Sequence, residues 1–162
     1  SMDNPSSMPV SGADMSRTQL GDNEIQNIKK AAENGNPQAQ FSYGVMLLEG
    51  RLLKKDLAEA ASWFAKAASQ GYADAQYNLG LCYFKGIGVN PSYPKAIEMF
   101  QLAADQGHSA AQYNLGLIYN EGYGVQKNFK LANDWFSQAI EKGYAPAKYA
   151  LGLNYSKGLG VE

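Results

Sequence analysis

From residue 35 onward the apolar and polar positions recur with a fixed period of 36. The stretch GYADAQYNLGL, from Gly71 to Leu81, returns as GHSAAQYNLGL from Gly107 to Leu117, and more divergent copies span Gly35 to Val45 and Gly143 to Leu153. A period of this length marks stacked supersecondary units, none of which can bury its apolar face alone. Within a unit, Ala75, Leu79, Cys82 and Tyr83 fall at the three-four spacing of one helical face. A first helix, A, is predicted from about the third to the fifteenth position of each unit. Glycines at 50, 86, 122 and 158 mark its end. A second helix, B, is predicted to start after Asp56, Ser92 and Asn128, which share the ability to cap a helix N-terminus. Its expected buried stripe is Leu57, Ala60, Phe64 and Ala67, repeated as Tyr93, Ala96, Phe100 and Ala103, and as Phe129, Ala132, Phe136 and Ala139.

The ends of the array are irregular. Glu24 to Asn34 matches helix B one period early, with Ile28 at the Phe64 position, so a half repeat is expected to open the solenoid. Residues 1–22 show no apolar periodicity and are rich in Ser, Pro, Gly and Asp. They read as a disordered leader, with Ser1-Met2 as an expression scar. The predicted organisation is therefore a leader, 1–22, then a solenoid over 23–162: half repeat 24–34, full repeats 35–70, 71–106 and 107–142, and a truncated repeat 143–162. Glu162 falls where a fourth helix B is due, so the last helix A is expected to show an uncovered apolar side, covered in a longer array or by another chain.

One pattern recurs: Ala-x-x-x-Leu-Gly-x-x-Tyr-x-x-Gly-x-Gly-Val, then Ala-x-x-Trp/Met-Phe-x-x-Ala. It stands here as Ala75, Leu79, Gly80, Tyr83, Gly86, Gly88 and Val89, then Ala96, Met99, Phe100 and Ala103. The next unit repeats it from Ala111 to Ala139. This pattern resembles the Sel-one-like repeat family of tetratricopeptide-like helical solenoids. The first repeat departs from it around Leu48 and at Leu52, where later copies carry Gly88 and Gly124, so a different local turn is expected there. The resemblance implies an all-α, right-handed α-solenoid of antiparallel helix pairs, about 3.5 repeats long. It also implies adaptor work, the holding of other proteins, and places such chains in bacterial envelope or secreted settings.

Composition agrees with helices. The chain has 22 Ala but only 5 Val, 6 Ile and 1 Thr, too few branched residues for a β-rich fold. Of the 17 glycines, all but Gly12 and Gly21 fall in the repeat register. The recurring mid-helix glycines, Gly44, Gly80, Gly116 and Gly152, therefore predict close helix approach. A net charge of −1, with no like-charge run longer than two residues, lacks the basic footprint of a nucleic-acid binder. No apolar run approaches a membrane span, so no membrane insertion is expected.

Candidate chemistry is thin. Ser92 and Lys95 match a Ser-x-x-Lys spacing, the only prompt for a serine hydrolase or peptidoglycan-active enzyme, but Asp56 and Asn128 at the equivalent serine position favour a helix cap. His108 replaces Tyr72 and Tyr144 in register and reads as a turn residue rather than a ligand. Cys82 replaces Met46 and Ile118 and reads as a small buried hydrophobe. No catalytic constellation, cofactor or metal set is expected, and the chain reads as a non-enzyme.

The expected function lies on the other face of helix A. That face carries Tyr77, Asn78, Leu81 and Phe84 in the second unit and Tyr113, Asn114, Leu117 and Asn120 in the third, with Phe41 and Tyr149 at the outer copies. Lining a concave side, these residues would anchor a protein or peptide through Tyr and Leu, while Asn bonds its backbone. The rival reading packs the aromatics between neighbouring A helices. A further alternative is a self-assembling structural segment, with the uncapped last repeat as the surface for self-association.

Overall fold

The structure, a computed structural model, describes residues 12–162, with side chains from Gly21 onward. Residues 1–11 of the expected leader lie outside the described residues. Eight helices follow in order: α1 (Gly12–Glu33), α2 (Pro37–Glu49), α3 (Leu57–Ser69), α4 (Ala73–Lys85), α5 (Tyr93–Asp105), α6 (Ser109–Glu121), α7 (Phe129–Glu141) and α8 (Ala145–Ser156). No strand occurs among the described residues. The even helices α2 to α8 are the A helices, and α3, α5 and α7 are the B helices. Contact runs along the chain: each helix packs against the one before and the one after, as in a solenoid of helix pairs. Helix α1 takes in residues 12–22, the last part of the expected leader.

Local signals set the helix ends. Asp56, Ser92 and Asn128 sit in extended backbone, and their side chains accept from the N–H groups of Glu59, Lys95 and Leu131 at 3.0, 3.3 and 3.0 Å. The same three residues donate their own N–H groups back to the carbonyls of Leu47, Tyr83 and Tyr119, which ties each A–B loop to its helix A. Gly50, Gly86 and Gly122 close their helices in the left-handed region, at φ of 69°, 71° and 77°.

Each pair is locked by one ring on one glycine. Phe64, Phe100 and Phe136 are fully buried, and a β-carbon placed on Gly44, Gly80 or Gly116 would collide with the ring of Phe64, Phe100 or Phe136 respectively. The absence of that β-carbon lets helix B lie flat on helix A, and the buried ring contributes about 2–3 kcal/mol of transfer free energy. Gly152 of α8 meets no such ring. The rest of the B stripe is as expected, with Ala60, Ala67, Ala96, Ala103, Ala132 and Ala139 buried. Its first position is not: Leu57 and Tyr93 are exposed and Phe129 is half-buried, because the stripe there reaches the mouth of the A–B loop.

A polar clasp holds consecutive pairs together. Buried Gln40, Gln76 and Gln112 donate to the carbonyls of Ala32, Ala68 and Ala104 on the preceding B-type helix, at 3.2, 3.3 and 3.2 Å. Gln70 and Gln106, just beyond α3 and α5, each donate to two acceptors: the Gln40 or Gln76 side-chain oxygen, and the carbonyl of Gly35 or Gly71. Lys142 stands at the equivalent position of the next pair, and the side-chain oxygen of Gln112 is buried there without a partner.

Candidate partner-binding surface

The A helices form a continuous face whose residues repeat in register. Between α4 and α6 lies a cleft of about 340 Å³, lined by Tyr77, Leu81, Phe84, Lys85, Asn114, Leu117 and Tyr123 above the Phe100 ring. One period on, between α6 and α8, lies a second of about 350 Å³, lined among others by Tyr113, Leu117, Asn120, Glu121, Tyr149, Leu153 and Lys157. Eight of the ten residues expected at the partner surface therefore line these two clefts; Phe41 and Asn78 line neither. The first cleft is mainly apolar, with a few polar groups at its walls, whereas the second mixes apolar residues with Asn120, Glu121, Lys127, Asn154 and Lys157.

The aromatics at the base also serve the stack. Tyr77 packs on Phe100 of its own pair, with ring centroids 5.8 Å apart, and stacks on His108 of the next at 4.7 Å. Phe41 meets Phe64 and Tyr72 in the same way, and Tyr113 meets Phe136 and Tyr144. These rings are wedges between repeats and at the same time half-exposed walls of the face. Tyr149, on α8, is 73 % exposed. Burial raises the Tyr77 hydroxyl pKa, the nearby Tyr144 adds to the rise, and a hydrogen bond with Asn114 partly offsets it. Tyr113 is raised by burial and by Tyr144. Both phenols stay neutral and offer hydroxyl groups for hydrogen bonding at neutral pH.

Phe84 changes the character of the first cleft. It forms a three-ring cluster with Tyr93 and Tyr123, at centroid separations of 5.2, 5.1 and 5.7 Å. The equivalent positions of the second cleft hold Asn120, Phe129 and Leu159. There Asn154, buried where other repeats have Met46, Cys82 and Ile118, donates to the side-chain oxygens of Asn120 at 2.7 Å and Asn133 at 2.8 Å. Asn133 in turn donates to the Leu159 carbonyl. Periodicity alone could not reveal this knot, because its members sit where the repeat is otherwise apolar or variable.

The isolated chemical groups have structural roles. The Ser92 hydroxyl accepts from the backbone of Lys95, whose ammonium instead lies 5.4 Å from the Tyr83 ring centroid. No Ser–Lys pair forms between these side chains. Cys82 is buried, and burial pushes its thiol up to about 11, so it remains a protonated hydrophobe. His108 is more than the expected turn residue. One ring nitrogen accepts from the Ala111 N–H as a helix cap, and the other lies 3.0 Å from Asp74 of the preceding A helix. The signal available in the sequence was its position, immediately before a helix A and in register with Asn36. Among the described residues no group of His, Cys, Asp or Glu is placed to hold a metal, and no helix is long and apolar enough to cross a membrane.

Known proteins share this arrangement. The model of the Sel1 repeat matches residues 37–72, 73–108, 109–144 and 145–162. A Sel1 repeat protein from Oxalobacter formigenes is 35 % identical over 86 % of this chain and 63 % of its own, with a TM-score of 0.76. The protective antigen c5321 of uropathogenic Escherichia coli, with an SLR fold, is 32 % identical, covers 85 % of this chain and 37 % of its own, and has a TM-score of 0.54. Cysteine rich protein B of Helicobacter pylori is 29 % identical over 54 % of this chain and 65 % of its own, with a TM-score of 0.52. The chain thus spans less than two thirds of each of these proteins. No curated protein sequence matches it. Proteins built from this repeat are typically non-catalytic protein-interaction scaffolds. With all four copies matched in phase and the helix pairs packed as the repeat requires, the chain belongs to the Sel1 repeat family.

Proposed function

We propose that this chain is a non-catalytic scaffold that binds a peptide or protein partner on the face formed by α4, α6 and α8. The observation that carries this reading is the pair of clefts at equivalent positions one repeat apart, the first mainly apolar, lined by residues that periodicity assigns to the solvent side of helix A. Half-exposed tyrosines held rigidly by the stack lose little entropy on binding, and Asn114 offers an amide to a partner's backbone.

The test must spare the wedges. Replacing Tyr77 or Tyr113 by Ala removes a packing ring as well as a cleft wall, so loss of binding would be ambiguous. Asn114→Arg instead fills the first cleft from a half-exposed position with a long charged side chain. In affinity capture from the source organism's lysate, that variant is expected to retain about a tenth or less of the wild-type partner, with helicity and melting unchanged. Undiminished capture by a folded Asn114→Arg protein rules this face out.

A further inference from the structure

We infer that His108 is a pH-operated joint between the second and third repeats: protonating its imidazole releases the cap of α6 and loosens the stack on Tyr77, a wall of the first cleft. Register singles the residue out. The helices α4, α6 and α8 are each opened by a ring that packs on an aromatic residue of the A helix before: Tyr72 on Phe41, His108 on Tyr77 and Tyr144 on Tyr113. Tyr72 and Tyr144 make no side-chain cap bond. Asn36, at the start of α2, caps through its side chain, which accepts from the Ala39 N–H at 2.8 Å, but brings no ring. His108 does both, and it is the one histidine of the chain. Imidazole is the side chain that ordinarily changes charge between about pH 5 and 8.

The hydrogen bonds fix where the proton of the neutral ring sits. The Ala111 N–H is a donor, so Nδ1 of His108, 3.2 Å away, acts as its acceptor and carries no hydrogen. The one ring proton is then on Nε2, which donates to Asp74 Oδ1 at 3.0 Å. A second proton can bind only at Nδ1, where it faces the Ala111 N–H, and the cap becomes a contact between two donors. The imidazolium keeps Asp74 and gives up Ala111. In turning away it disturbs the stack on Tyr77, whose ring centroid lies 4.7 Å from that of His108 and whose hydroxyl is hydrogen-bonded with Asn114, three residues beyond Ala111.

The charges around the ring pull in opposite directions. From α4, Asp74 favours the charged ring, but its carboxylate is more than half exposed and so is screened by water. Against it stand the positive end of α6, which has no acidic residue in its first turn, and Lys142 before α8, whose side-chain end lies against Gly107. Asp105, at the end of α5, is exposed and accepts from the Gln101 amide. Tyr144 stands near Tyr77. The cap is therefore complete while the imidazole is neutral and is lost as the pH falls through its titration. The joint works on the stack itself, whatever the face binds.

NMR of the full chain at about pH 7.5 and about pH 5.5 tests this, with His108→Asn, the residue found at position 36, as a cap that does not titrate. Comparing the two proteins at the same pH cancels the intrinsic change in amide exchange. The Ala111 amide is expected to be equally protected in both at the higher pH, and about tenfold less protected in the wild type at the lower. Tyr77 ring resonances should shift between the two pH values in the wild type and stay in place in His108→Asn. His108→Tyr, the residue of positions 72 and 144, supplies the uncapped reference, with Ala111 unprotected at both pH values. Equal protection of Ala111 in the wild type and His108→Asn at both pH values, or Tyr77 resonances that shift alike in the two proteins, overturns the inference.

Discussion

The contact between Gly116 and Phe136 inverts an ordinary rule. In an exposed helix interior, Gly to Ala stabilises by about 1 kcal/mol, because alanine has less backbone freedom to lose. At Gly116 the new β-carbon would meet the Phe136 ring at sub-contact distance, and the ring has no open side to move into because it is fully buried. Gly116→Ala is therefore expected to destabilise by about 1–3 kcal/mol. Gly152 occupies the same register position with nothing within 4 Å, so Gly152→Ala is expected to stabilise by about 1 kcal/mol or less. Urea unfolding of the two variants checks the opposite signs. Two destabilised variants would mean that the register position matters for a reason other than the ring.

At the scale of elements, the glutamine clasp has a defect that can be repaired. Gln70 and Gln106 each supply one donor to the buried oxygen of their own pair's glutamine, whereas Lys142 leaves that of Gln112 unbonded. Lys142→Gln is expected to complete the clasp, with donation to Gln112 and to the Gly107 carbonyl, and to raise stability by about 1 kcal/mol. Thermal melting would show the gain, and it should vanish when Gln112→Leu is combined with it. Helix positions were legible in the sequence because they rest on local signals: caps at Asp56, Ser92 and Asn128, and glycines at 50, 86 and 122. The clasp was not, because each of its bonds joins residues 8, 30 or 35 apart and most end on backbone carbonyls.

Across the whole molecule, stability is a sum of nearest-neighbour terms, since no helix packs substantially on any but its chain neighbours. The outermost pairing should then open first. Amides of α8, whose Gly152 carries no ring and whose Tyr149 is exposed, are expected to exchange faster than those of α4 and α5 by about tenfold or more. Hydrogen exchange followed by mass spectrometry reads this directly, and uniform protection from α3 to α8 would refute the additive picture. The A-helix face was legible as a list of positions but not as a shape. Only the fold shows that Tyr77 and Tyr113 are each clamped by the B helix of their own pair and the residue that opens the next helix A.

That the clasp ends on the carbonyls of Gly35, Gly71, Ala32, Ala68 and Ala104 has a consequence for how such a chain can change. A glutamine that reads main-chain oxygen is indifferent to which side chains its neighbour carries. The grammar of stacking is written in the backbone and in a few seats and rings, and the vocabulary of recognition in side chains on the open face. One can be rewritten, a new partner acquired, without misspelling the other.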